Sequence, residues 1–375
     1  MTLVTTTEHD AIHDERVAAR LGLALAVAFT TCFITGLYSH FAQHPSFGFQ
    51  LPSRPVGLYR ATQGVHVVTG IASIPLLLAK LWSVFPKLFR WPPFESFAHL
   101  VERLAIFPLV AGSIFMLFTG LANINLWYPW KFNFPDTHYR TAWIVMGALA
   151  VHIGAKFATS RRALAREPKA TAAPPETRAD RRRFLATAFG ASALVGVFTV
   201  GQTFRPLARL ALLAPRRPDV GPQGFPVNGT AKETGAAALV DSSAYRLEVD
   251  GIVARPCSFT LDELRALPLH SANLPITCVE GWSTSQRWTG VRVRDLLEMA
   301  GARPNTTARV ESFQPYGSYR TSDLDHWQAH DPDTLLALQV NGEPLAPDHG
   351  YPLRLIAPNR PGVMQTKWIK KLTAT

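Results

Sequence analysis

The chain has 375 residues, of which 47% are hydrophobic and only 17% charged, well under the roughly 25% charged that is usual in soluble globular proteins. So little charge excludes a disordered or tail-like composition. The net charge of +11 would by itself invite a nucleic-acid partner, but where the charges sit points elsewhere.

Five charge-free runs fill the first part of the chain, at 21–38, 63–79, 104–130, 141–155 and 184–204. A helix needs about 20 apolar residues to cross about 30 Å of hydrocarbon, and flanking side chains that snorkel extend the shorter runs. A soluble bundle would show charged stripes every three or four residues, and these runs show none. The expectation is five membrane helices. Lys80, Lys87, Arg90 and Arg103 separate the second and third runs, and a longer basic stretch from Lys156 to Arg183 follows the fourth. The other two loops hold only Arg54 and Arg60, then Lys131 and Arg140. The positive-inside rule then predicts a cytoplasmic N-terminus, with everything beyond about residue 221 outside. The basic excess is thus topological, and no nucleic-acid partner is expected.

Residues 163–180, rich in Ala, Pro and Arg, read as a cytoplasmic linker. Arg181-Arg182-Arg183-Phe184-Leu185 follows, ahead of a modestly apolar helix. The pattern resembles a twin-arginine export signal, with an ordinary basic helix flank as the alternative. From Tyr245 the texture changes to alternating strand-like runs, and Thr260-x-Asp262-Glu263 reads as a helix start. About 130 residues suffice for one α+β core. Three cysteines, Cys32, Cys257 and Cys278, do not make a disulfide framework.

The order Cys278-Val279-Glu280-Gly281-Trp282-Ser283, Trp288-Thr289-Gly290-Val291, Asp295-Leu296-Leu297, Asn341-Gly342-Glu343-Pro344-Leu345, His349-Gly350, Pro352-Leu353-Arg354-Leu355 and Lys367-Trp368 resembles the molybdopterin-binding domain of the sulfite oxidase family. It is nearer the bacterial, membrane-partnered methionine sulfoxide reductases than the animal enzymes. The resemblance implies a molybdenum cofactor with Cys278 as thiolate ligand, a soft donor suited to that metal. It implies His349, Arg354 and Lys367, with Gln365 and Arg360, as the donors that hold the pterin and its phosphate. Tyr319 and Ser322 fall in a loop that approaches the metal in relatives, or else are simple turn residues. The chain ends at Thr375, shortly after Lys367-Trp368 and without the animal enzymes' C-terminal dimerisation domain. Sulfite is therefore the less expected substrate.

Histidines in membrane helices are functional candidates. His66 begins an H-x-x-x-G pattern, and His138 and His152 lie 14 residues apart, within about 40° of one face and about 21 Å along it. This half resembles the di-haem cytochrome b subunits of formate dehydrogenase and hydrogenase and the bacterial cytochrome b561 group. The resemblance implies that His66 and His138 sandwich one haem b near the outer surface, while His152 faces an inner haem. The partner expected for His152 is missing, because Arg20-Leu21-Gly22 stands where the family has histidine, and His99 is the substitute to consider. One haem is expected and a second left open, the alternative for each histidine being an interfacial structural role.

The expected fold is an all-α membrane bundle of four helices plus a fifth linking helix, followed by an α+β sulfite-oxidase-type molybdopterin domain. Its parts are a tail (1–16), the four-helix domain (17–160), a basic linker (161–183), the fifth helix (184–204), an extracytoplasmic linker (205–240) and the molybdopterin domain (241–375). The expected function is electron exchange between the quinone pool, haem and molybdenum, reducing a sulfoxide-type small molecule or methionine sulfoxide. Sulfite-like oxidation is the enzymatic alternative, and a non-catalytic binding module the other.

Overall fold

The computed structural model describes residues 12–45, 49–88, 97–165, 175–239 and 243–375, with the side chains of 97–99, 102, 175 and 176 excepted. Arg90, Arg166, Lys169, most of the 163–180 stretch before residue 175, and the side chain of His99 lie outside the described residues. The first part of the chain forms five long helices: α1 (Glu15–Gln43), α2 (Leu58–Leu88), α3 (Phe97–Ile124), α4 (Phe134–Ala165) and α5 (Pro175–Val200). Each contains a stretch long and apolar enough to cross a membrane. The helices outrun the charge-free runs because Arg, Lys and Glu favour helix once propagation has begun. So α5 starts well before residue 184 and takes in Arg181–Arg183, whose first member pairs with Asp14 (Nη2 to Oδ2, 3.0 Å). It also stops at Val200, leaving 201–204 as turn.

The chain divides into two compact units, which cut across the expected domain boundaries. One comprises 1–37, 65–200 and 210–215; the other comprises 38–64, 201–209 and 216–375. In the first, Val17, Leu21 and Leu25 of α1 bury against Leu76 and Leu77 of α2 and Leu185 and Ala188 of α5. Gly112 of α3 brings α4 close: a Cβ there would stand 2.6 Å from Val145 Cγ2, the small-residue contact by which apolar helices pack without a hydrophobic driving force.

The second unit holds two five-stranded sheets. The strands are β1 (Arg246–Gly251), β2 (Cys257–Thr260), β3 (His270–Thr277), β4 (Ser283–Arg292), β5 (Ala308–Ser312), β6 (Thr321–Leu324), β7 (Leu335–Val340), β8 (Glu343–Pro344), β9 (Arg354–Ile356) and β10 (Ile369–Ala374). One sheet runs β2-β1-β10-β5-β6. The other runs β3-β4-β7-β8, with β9 also paired to β7. Among the named strands of the described residues, only the β1–β10 pair is parallel. Helices α6 (Leu261–Ala266), α7 (Val293–Met299) and α8 (His326–Ala329) fill the connections. The expected helix start at Thr260 is a full capping box with Glu263, satisfying two orphan donors at once. Inward residues of β1, β5 and β10, with Leu296, Leu297 and Leu355, make one core. Leu274, Ile276, Trp288 and Leu335 make another. Gly290 sits where the β4–β7 register shifts, and a Cβ there would meet Leu336 O at 2.1 Å, so the bulge requires glycine.

Most of two stretches read as connections belongs to this unit. From 205–240, Phe225 is fully buried in the second core. From 38–64, Arg54 grips Asp331 through Nε and Nη2 (3.1 and 2.9 Å) and reaches Asp333 Oδ2 at 2.6 Å. Asn359, at a left-handed φ of 50°, accepts from Tyr59 N at 2.6 Å and donates to Pro52 O at 2.6 Å. Arg54→Ala should lower stability by about 1–3 kcal/mol, because it strands the nearly buried Asp331 carboxylate without its charge partner. The thermal midpoint of the variant against the parent measures this.

Candidate functional sites

Cys278 opens the short loop that joins β3 to β4. The loop closes on itself, with Cys278 N donating to Trp282 O at 2.9 Å and Gly281 N to Cys278 O at 3.1 Å, and Gly281 supplies φ 102°. A neighbouring loop comes close because Gly362 has no Cβ: one would stand 2.8 Å from Thr277 O. The cysteine is buried and unlinked, as is the half-exposed Cys257. Asn228 donates from Nδ2 to Cys278 Sγ (2.7 Å) and to Glu280 Oε1 (3.2 Å). Glu280, itself buried, also accepts from Trp282 Nε1 at 3.1 Å and faces Arg216 Nε at 3.5 Å. Arg216 in turn donates to Asn228 Oδ1 and, at 2.7 Å, to Val227 O. Burial, then the nearby Glu280, push the Cys278 thiol far up. A thiol so placed stays protonated until a metal takes its proton's place.

His349, Arg354, Arg360 and Lys367 surround this unit's buried interior. His349 stacks on Phe225 (centroids 3.7 Å apart, 13°) and donates from Nε2 to Pro222 O at 2.7 Å. Burial lowers its pKa to about 4, so the neutral ring presents Nδ1 as an acceptor. Arg354 donates to His349 O (3.0 Å) and Gln365 O (3.3 Å) and lies over the Trp288 ring at 5.1 Å. Its Nε is buried with no partner among the described residues. Arg360 is spent on Met364 O, Gln328 Oε1 and Asp323 O. Lys367 Nζ donates to Asn228 O, Gly229 O and Asp348 O at 3.0, 2.6 and 3.0 Å. Burial lowers the three cations to about 9, 10 and 7 respectively. None of the three has a carboxylate at ion-pair distance among the described residues. Buried charge is normally paired, so these cations, with carbonyl partners only, suit a phosphate-bearing ligand, and Cys278 suits its metal.

Lys367 carries a pH prediction. Its folded pKa of about 7 lies below the unfolded value near 10.4. Between the two the unfolded chain binds the extra proton, so stability rises with pH across that window. The cofactor-free chain should therefore melt higher at pH 9 than at pH 7, and Lys367→Met should flatten that slope. Melting curves across pH measure both.

Not every expected donor faces the site. The Ser322 hydroxyl, on β6, is bonded to Thr366 Oγ1 at 2.7 Å. The Gln365 amide is consumed by the Ala357 backbone, at 2.8 Å through Oε1 and 2.9 Å through Nε2. Tyr319 is half-buried and donates to Gln43 Oε1 at 3.4 Å. Asn228, Arg216 and Glu280 were given no role by sequence reasoning. The first two sit in the supposed 205–240 linker, and the proximity of Asn228 to a cysteine 50 residues on has no local signal.

In the other unit, α2 and α4 bring His66 and His138 together with ring centroids 6.4 Å apart at 70°. Nδ1 of His66 faces Cys32 O at 2.9 Å and Thr35 Oγ1 at 3.3 Å. Nδ1 of His138 faces Thr119 Oγ1 at 2.9 Å. With Nδ1 engaged on both rings, Nε2 is the nitrogen that remains for a ligand, as in histidines that bind a metal. Two imidazoles on opposite faces of one metal, at about 2 Å bonds, have centres about 6 Å apart. The pair fits a haem iron. The contact beside it is tight: a Cβ on Gly36 would meet His66 Cε1 at 3.0 Å. His152 lies about 21 Å further along α4 by helical rise, away from this pair.

A family model described as the oxidoreductase molybdopterin binding domain matches residues 234–375. The chain is 33% identical over 136 residues to the uncharacterized oxidoreductase YuiH of Bacillus subtilis, covering 36% of this chain and 67% of that protein. It is 37% identical over 136 residues to a protein of Azospira oryzae named as a protein-methionine-sulfoxide reductase subunit, YedZ1, covering 36% of this chain and 51% of that one. It is 31% identical over 163 residues to the mitochondrial sulfite oxidase of Drosophila melanogaster, covering 36% and 28%. The chain thus spans about half of the Azospira protein and under a third of the Drosophila one.

Proposed function

Because the chain belongs to the molybdopterin-binding oxidoreductases of the sulfite oxidase family, we propose that it is a membrane-anchored reductase. In this reading quinol electrons pass through a haem b on His66 and His138 to a molybdenum centre on Cys278. The observation that carries it is the cradle of the second unit: one buried thiol, two buried arginines and a half-buried lysine, none of these cations with a carboxylate at ion-pair distance among the described residues. The name of the Azospira relative favours a sulfoxide-type substrate, a small molecule or methionine sulfoxide.

When bound, the molybdenum cofactor supplies two-electron oxygen-atom exchange. The chain's own residues hold and tune it. Arg354 and Lys367, with Arg360 further back, provide the positive field for the phosphate, and neutral His349 offers Nδ1 to a pterin donor. Asn228 donates to the Cys278 sulfur, which favours the thiolate form. The Trp282, Asn228 and Arg216 contacts fix the Glu280 carboxylate. Tyr319, whose phenol is raised by burial and then by Cys278, stays protonated, with its hydroxyl donating to Gln43.

The five apolar helices support a bacterial inner-membrane protein with its N-terminus cytoplasmic and its molybdenum domain outside. Exposed Trp127, Tyr128 and Trp130 between α3 and α4 suit the aromatic belt of a membrane interface. Arg181–Arg183 suit a twin-arginine export signal, a route that carries folded domains.

Metal analysis of the purified full chain, joined to a screen of sulfoxides with reduced viologen and with quinol, tests the reading. We expect molybdenum near one per chain, a b-type spectrum and sulfoxide reduction from both donors. Absence of molybdenum refutes the enzyme site, and sulfite oxidation with a dye acceptor in place of sulfoxide reduction reverses the direction.

A further inference from the structure

We infer that Gln63, Gln202 and Thr203 are positioning residues of the Cys278 loop, supplied from outside the matched residues 234–375. The inference rests on reading Cys278 as the molybdenum ligand. The loop's internal hydrogen bonds use Cys278 N, Cys278 O, Gly281 N and Trp282 O, and do not use the carbonyls of Val279 and Gly281. Gln63 Nε2 takes the first at 2.6 Å. Thr203 Oγ1 takes the second at 2.6 Å. The backbone carbonyl of Gln202 accepts from Ser283 N at 2.9 Å, so the loop is held at three points within five residues of the cysteine.

These clamps form one assembly. A Cβ on Gly64 would stand 2.6 Å from Thr203 Cγ2, so Thr203 packs directly over the glycine next to Gln63. Gln63 and Gln202 are 4% and 1% exposed. Gln63 Oε1 and Gln202 Nε2 are buried there with no partner among the described residues. A buried acceptor and a buried donor left unpaired in the residues that grip the loop call for a polar partner. A loop gripped this way presents its sulfur in one orientation, the supporting-shell role that sets ligand geometry.

The test uses the full chain and three variants: Gln63→Leu and Thr203→Val, which remove the donors, and Thr203→Ser, which keeps one. Site-resolved iodoacetamide alkylation of Cys278 in cofactor-free protein reports local opening. It should be about tenfold faster or more in the first two variants and near parental in Thr203→Ser, with Cys257 unchanged as internal control. In loaded enzyme, the Mo(V) electron paramagnetic resonance signal should shift in the first two and return to the parental form in Thr203→Ser. Parental alkylation in Gln63→Leu and Thr203→Val overturns the proposal. So does acceleration shared by Cys257, or a Thr203→Ser variant that behaves like Thr203→Val. A parental chain purified without molybdenum overturns the ligand reading instead, while the alkylation rates still decide the clamp.

Discussion

Cys278→Ser should cost more than about 100-fold in sulfoxide reduction by reduced viologen, more than the 10–100-fold usual for residues that merely support a ligand. The substitution changes one atom in a buried position, so the fold should survive with a melting temperature close to the parent's. What changes is the donor, because a hard hydroxyl oxygen replaces the soft sulfur that the metal prefers. Asn228→Leu supplies the internal comparison. It keeps the volume but removes the hydrogen bond to Sγ and the contact to Glu280, so its loss should fall within about 10–100-fold. Turnover numbers with viologen, beside molybdenum content, separate the two cases. Equal losses in both variants, or parental turnover in Cys278→Ser, would remove the thiolate from the chemistry.

The ranking of these two residues shows what a sequence discloses. Cys278, His349, Arg354 and Lys367 stand in short contiguous patterns; in the second unit the first three lie buried and Lys367 half-buried. Ser322 and Gln365 stand in equally recognisable patterns, yet their polar atoms are spent on Thr366 and on the Ala357 backbone. Proximity in a motif does not say which way a side chain turns. Asn228 bonds across 50 residues, Thr203 across 78 and Gln63 across 216, and no periodicity marks such a pairing. The stretch around Phe225 reads as a linker because Pro and Gly break every regular pattern there. It is ordered by packing on His349 and Trp288, contacts that exist only once β4 and β7 are paired. Apolar helices are the easier case: hydropathy alone defines the five long segments, and only their ends, at Pro175 and Val200 for α5, escape it.

His66→Ala and His138→Ala should each abolish the b-type haem spectrum and lower quinol-driven reduction by about 100-fold or more, while viologen-driven reduction persists near the parental rate. Viologen delivers electrons to the molybdenum site directly, so the split between donors isolates the electron path from the chemistry. The geometry supports a single shared ligand for the pair. The rings lie 6.4 Å apart, each Nδ1 is held by a neighbouring oxygen, and Gly36 leaves room for the His66 ring. Thr119→Val should be milder, since it removes only the oxygen that orients His138. Its effect belongs in the 10–100-fold range on haem affinity. His152→Ala distinguishes one haem from two: retention of the full haem content confines the cofactor to the His66–His138 pair, and loss of half of it places a second haem on α4. Full haem content in His66→Ala would defeat the assignment of the haem to the His66–His138 pair, whereas a parental chain without a b-type spectrum would leave the helices as an anchor.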